Sequence, residues 1–112
     1  MAAPSTDAST PRFLELLASC PVTPGATVSR PLLNVPEGKV VLFAMDQGQE
    51  MSEHAAPFAA TVHVLDGRLR FTIEAQARDM GPNDWLMMPA SARHSLMAIA
   101  PTRFLLTLFK RP

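Results

Sequence analysis

From residue 27 onward the apolar residues come in short runs, each closed by Gly, Pro, Asn or Asp. Residues 39–45 (KVVLFAM) and 61–65 (TVHVL) are rich in β-branched and apolar side chains and predict strands. Beyond them Leu69, Phe71 and Ile73 alternate with Arg70, Thr72 and Glu74, the period-two pattern of a strand with one buried face. Residues 27–33 predict an edge strand, because Pro31 has no N–H to give to a ladder. Residues 85–88 predict a short strand ended by Pro89, and residues 94–100 and 103–109 predict a closing pair turning at Ala100-Pro101. Asp46-Gln47-Gly48 and residues 80–84 read as turns. Asp66-Gly67 reads as a type I′ hairpin, which needs φ > 0 at both central positions. About seven or eight short strands at short intervals predict an all-β sandwich or closed barrel.

The chain before residue 27 reads differently. Residues 12–20 (RFLELLASC) predict about two turns of helix, with Thr10 as N-cap and Pro11 at the first helical position, stopped by Pro21 and Pro24-Gly25. Residues 1–11 are small and polar and predict a flexible arm. Residues 12–112 then make one domain.

Two spaced motifs carry the candidate chemistry. Residues 48–67 run from Gly48 through five residues to His54, then Ala55, Ala56, three residues, Ala60, and six more to Gly67. Residues 83–98 run from Asn83 through five residues to Pro89, then Ala90, Ser91, two residues, His94, three residues and Ala98. This spacing resembles the two motifs of the cupin family over about residues 38–109, with the short intermotif segment of a small single-domain member, RmlC-like in type. The resemblance implies an all-β cupin double-stranded β-helix, a jelly-roll-like barrel, here preceded by a short helix. It also implies a homodimer, and a divalent transition metal held by three imidazoles and one carboxylate. In this sequence Ala56 stands at the second His position and Ala60 at the Glu position, while Asn83, Ser91 and Ala98 replace Gly, Gly and Asn. Asn83 suits its place because Asn tolerates a left-handed backbone.

His54 and His94 are therefore the only two metal ligands that the resemblance carries over. Two imidazoles leave too many coordination positions to water, and without the carboxylate nothing offsets the cation's charge. The cofactor expectation is none, or a weakly bound divalent transition metal. Ser52 shares side-chain parity with His54 in an extended strand and is a substitute donor, as are Gln47, Gln49 and Glu50. Thr61 and His63 lie odd steps from Ala60 and point away from the cavity. The expected ligand pocket is His54, His94, Ala56, Ala60, Met88 and Ser52, with Trp85 or Phe58 at its rim and Met87 beside it. Two alanines in place of His and Glu make such a cavity larger and more apolar. The seven methionines fill core gaps or line an adaptable pocket.

Composition narrows the choice. Lys+Arg and Asp+Glu number 10 each, so the net charge is zero and gives no general pull toward nucleic acid or an anionic membrane. No apolar run reaches the ~18 residues of a membrane span. The first residues lack the basic and apolar regions of a signal peptide, which makes the cytoplasm the expected location. Cys20 is the only cysteine, so no intrachain disulfide forms, and nothing beside it predicts a reactive thiol. Three functions follow. The first is a cupin barrel that binds a small organic molecule at a degenerate metal site. The second is a metal-dependent enzyme of dioxygenase, isomerase or decarboxylase type using His54 and His94, or a metal-free acid/base pair made by the same residues. The third is a structural or interaction module without a ligand.

Overall fold

A computed structural model describes residues 5–111. One short helix, α1 (Leu16–Ser19), precedes nine strands among the described residues: β1 (Thr27–Val35), β2 (Gly38–Met45), β3 (Glu50–His54), β4 (Ala59–Asp66), β5 (Leu69–Ile73), β6 (Gln76–Met80), β7 (Trp85–Met88), β8 (His94–Ala98) and β9 (Thr102–Phe109). They pair antiparallel into two sheets, one in the order β1-β2-β9-β4-β7 and one in the order β3-β8-β5-β6. Their facing surfaces enclose the main core.

Alternation explains that core. Val62 and Val64 of β4, Leu69 and Phe71 of β5, Leu96 of β8 and Phe104 of β9 all turn inward and are buried together. Phe43 stacks on Phe104 with ring centroids 5.0 Å apart. Strand β2 is apolar without a break because both its faces are covered. Met45 faces the main core, while Leu42 and Ala44 face a second cluster with Cys20, Leu16, Val22 and Leu105 on the outer side of the five-stranded sheet. The Cys20 thiol is sealed there, and burial pushes its pKa up, away from reactivity. Pro31 lies on edge strand β1 where the register with β2 shifts, a position that needs no ladder N–H.

Several expectations require correction. The predicted two-turn helix shrinks to Leu16–Ser19, with Glu15 rather than Thr10 at the N-cap position and no side-chain cap. Only Leu16 reaches an apolar cluster, while Phe13 is 96% exposed, and a short helix without tertiary packing does not hold. Arg103 ties this segment to the barrel, pairing with Asp66 and donating to the Leu17 carbonyl. In the expected arm, residues 1–4 lie outside the described residues, and Thr6 accepts a backbone hydrogen bond of 2.8 Å from Asn34 of β1.

Asp66-Gly67 is a corner and not a hairpin, because β4 and β5 belong to different sheets. Only Gly67 has positive φ, at 87°. A side chain there would strike the Pro101 carbonyl and lie 2.6 Å from the Thr102 Cα. The buried Thr102 hydroxyl holds the same corner, accepting from the Arg68 N–H at 3.0 Å and lying 2.7 Å from the Ala100 carbonyl. The tight two-residue hairpin lies instead at Glu74-Ala75, with φ of 48° and 76°, between β5 and β6. Strand β6 (QARDM) was not expected, since its polar composition hides the period. Nor do β8 and β9 pair with each other: β8 lies between β3 and β5, and β9 between β2 and β4.

These corners make opposite predictions for two substitutions. Gly67→Ala should destabilise the fold by about 2–4 kcal/mol, since the atoms it meets are backbone. Ala75→Gly should stabilise by about 0.5–1 kcal/mol, because glycine relieves the left-handed strain. Urea unfolding midpoints at constant slope measure both.

Candidate functional site

His54 ends β3 and His94 begins β8, and the two are directly opposed across the antiparallel pair. Their rings meet edge to face with centroids 4.2 Å apart and an interplanar angle of 62°. Regular pairing would not bring them together. Glu50 faces Met97 and Met51 faces Leu96, but the register then shifts by one before His54 meets His94. This bulge sends Met51 and His54 to the same inner side although they are an odd number of residues apart.

The two imidazoles share one tautomer. His54 Nδ1 lies 2.8 Å from the Ser52 carbonyl and His94 Nδ1 lies 3.0 Å from the Ala92 carbonyl. A carbonyl oxygen only accepts, so each Nδ1 carries a proton, and in the neutral ring the lone pair lies on Nε2. His54 is exposed, whereas His94 is 8% exposed. Phe71 stacks against the inner ring, with centroids 5.8 Å from His94.

A cavity of about 150 Å³ opens between the sheets at this pair. His54, His94, Ala56, Ala60 and Met88, five of the six pocket residues expected from the sequence, line it, and Phe58 joins them. Ala60 and Met88 face each other across β4 and β7, each 3% exposed. Ser52 does not line the cavity. The bulge breaks its parity with His54, and it lies in a shallow groove with Arg70 and Thr72 on the other face of the second sheet. Gln47, Gln49 and Glu50 are likewise outside the cavity lining, and Gln49 pairs with the Thr27 hydroxyl. Trp85 is 63% exposed and Met87 52% exposed, so neither forms a rim here; alternation puts Met88 inward and its neighbours outward. His63 lies outside the cavity lining too, with Nε2 3.4 Å from Asn83 Oδ1.

Leu106 and Leu108 complete the apolar wall and were not foreseen. Their signal was available: in RFLLTLF, Phe104, Leu106 and Leu108 share parity and one face. The loop between β7 and β8 closes over the same space. It is fixed where Ser91 donates to the Ala56 carbonyl at 2.7 Å. Ser91 and Asn83, which stand at two glycine positions of the motif, have φ of 66° and 68°. Gly48 and Gly67, at the other two, have φ of 85° and 87°. All four corners thus keep a left-handed backbone.

No protein-family model matches the chain, and no curated protein sequence matches it. Solved structures do. A Streptococcus pyogenes protein of unknown function is similar over all of this chain and 97% of its own, at 25% identity and a TM-score of 0.86. A cupin superfamily protein from Desulfitobacterium hafniense is similar over 91% of this chain and 94% of its own, at 22% identity and a TM-score of 0.83. The chain is a small cupin by fold. A Ralstonia eutropha protein, provisionally named a mannose-6-phosphate isomerase, is 27% identical over 90% of this chain and all of its own, with a TM-score of 0.79.

The donor set decides whether this cupin fits a resident metal. Two imidazoles present ring nitrogens, but Ala56 and Ala60 present methyl groups. Among the described residues no group of three or more His, Cys, Asp and Glu side chains is placed to hold an ion. The residues of this cavity therefore do not fit a tightly held divalent cation, which takes three or four protein ligands. What they offer is an apolar wall with two imidazole rings beside it.

The tautomers can be checked in solution. Nitrogen NMR of the neutral protein should place the proton of both His54 and His94 on Nδ1. Protonation on Nε2 in either ring would contradict the hydrogen bonds described.

Proposed function

We propose that this cupin binds a small organic molecule in the cavity at His54 and His94, as a binding or sensing protein without a resident metal. The observation that carries this reading is an apolar cavity, next to two contacting imidazoles, at the point where a metal would need four donors. A volume near 150 Å³ matches a ligand of about benzene size. The favoured class is a phenol or a small alcohol, whose hydroxyl donates to Nε2 while its body packs on Leu106, Leu108 and Met88. His54, at the exposed end, admits the ligand, and buried His94 fixes its polar group.

The metal-dependent alternative of dioxygenase, isomerase or decarboxylase type is kept as the competing outcome of the test. The expected homodimer is also a proposal. Trp85, Met87 and Phe109 are exposed on the outer side of the five-stranded sheet, which supports pairing with a second copy there. The single free thiol of Cys20 is compatible with a reducing compartment such as the cytoplasm.

Purified protein should hold no stoichiometric iron, manganese, nickel or zinc. Phenol should raise its melting temperature by mass action, equivalent to about 2.7 kcal/mol at a hundredfold excess over Kd. The double variant His54→Ala/His94→Ala should lose that stabilisation. A stoichiometric metal that disappears in the double variant would sink this reading in favour of the enzyme. No stabilisation by phenols, alcohols or small acids would leave a module without a ligand.

A further inference from the structure

The two sheets do not close on each other along one side. Strand β6 ends the four-stranded sheet and β7 ends the five-stranded sheet, and neither pairs with the other. A groove of about 670 Å³ lies in this seam. Its floor is apolar, made by Phe71, Ile73, Met80 and Leu86. None of the residues lining it lines the cavity at His54 and His94. Phe71 stands between the two, flooring the groove and stacking on His94.

One charge in this groove is out of place. Arg78 is directly opposite Phe71 in the β5–β6 pair, so its side chain leaves β6 on the inward side. An inward charge on an edge strand does deter sheet-to-sheet association. Here, however, the groove it enters also has an apolar floor. Among the described residues Arg78 enters no ion pair and no side-chain hydrogen bond. Neither carboxylate of the groove pairs with it. Asp79 is paired with Arg70 at 2.9 Å, which holds its carboxyl below the usual value, and Asp84 accepts from the Gly81 N–H at 2.8 Å.

We propose that the β6–β7 groove is a second binding site, for a small amphipathic organic anion such as an aromatic carboxylate. The carboxylate pairs with Arg78, whose planar fork matches its two oxygens. The apolar body lies on Phe71, Ile73 and Leu86. The groove is large enough for a ligand of ordinary metabolite size, unlike the smaller cavity at the histidine pair. This site does not depend on what the histidine cavity binds.

Trp85 is the only tryptophan, and it lies at the groove margin, so its fluorescence reports on the site directly. Benzoate is the probe, with benzyl alcohol as its uncharged counterpart, in paired calorimetric and fluorescence titrations. Benzoate should bind saturably and change Trp85 emission over the same concentration range. Arg78→Gln should weaken that binding about tenfold or more. The His54→Ala/His94→Ala variant should bind benzoate as the native chain does, which separates this site from the cavity proposed above. Absence of saturable binding, equal binding in Arg78→Gln, equal binding of benzyl alcohol to the His54→Ala/His94→Ala variant, or loss of benzoate binding in that variant would each overturn the proposal.

Discussion

The bulge in β3 between Met51 and His54 directs His54 into the barrel. Continued without it, the pairing of Glu50 with Met97 and Met51 with Leu96 would set Glu53 opposite His94 and turn His54 outward. One extra residue reverses this, so that the imidazoles meet and Ser52 is left outside. Because the shift falls at the strand's end, only the last part of the ladder is disturbed, and Met51 still packs on the core. The functional reading depends on this local departure from regular pairing.

The barrel that presents the pair depends on corners. A chain that passes from one sheet to the other must reverse direction within a few residues, and left-handed residues do this where the motif spacing places them. Gly48 and Gly67 take that conformation freely, while Asn83 and Ser91 take it at a cost of about 1–2 kcal/mol each. The packing around them offsets that cost: Asn83 donates its N–H to the Val64 carbonyl and Ser91 to the Ala56 carbonyl. All four corners thus take the left-handed backbone, whether the residue is Gly, Asn or Ser.

Much of this architecture was legible in the residues, and the misreadings share a cause. Strand β5 announced itself by alternation and β4 by its β-branched composition, and local turn residues marked the reversals at 46–48 and 80–84. Pairing was not legible. Asp66-Gly67 has the local chemistry of a hairpin, but its strands separate into different sheets, and the same happened at Ala100-Pro101. The true tight hairpin uses Glu74-Ala75, two residues with no turn preference strong enough to be read. Strand β6 was missed because Gln76 and Arg78 occupy inward positions at an open seam, where the usual apolar rule lapses. At the site, His54, His94, Ala56, Ala60 and Met88 followed from spacing, whereas Ser52 failed because a bulge leaves no mark in a short exposed strand.

Chemically, the site offers volume rather than charge. Ala56 and Ala60 line the cavity with methyl groups, and among the described residues no group of three or more His, Cys, Asp and Glu side chains is placed to hold a cation. The two imidazoles are oriented by backbone carbonyls through Nδ1, which leaves both Nε2 atoms for the cavity. In the proposed reading, such a pair recognises a donor-bearing ligand through a hydrogen bond. The most direct test is a crystal structure of the protein grown with phenol and analysed for metal by anomalous scattering. The account predicts phenol in the cavity with its oxygen within hydrogen-bonding distance of an imidazole Nε2, and no anomalous scatterer between His54 and His94. A transition-metal peak bridging the two imidazoles would contradict it.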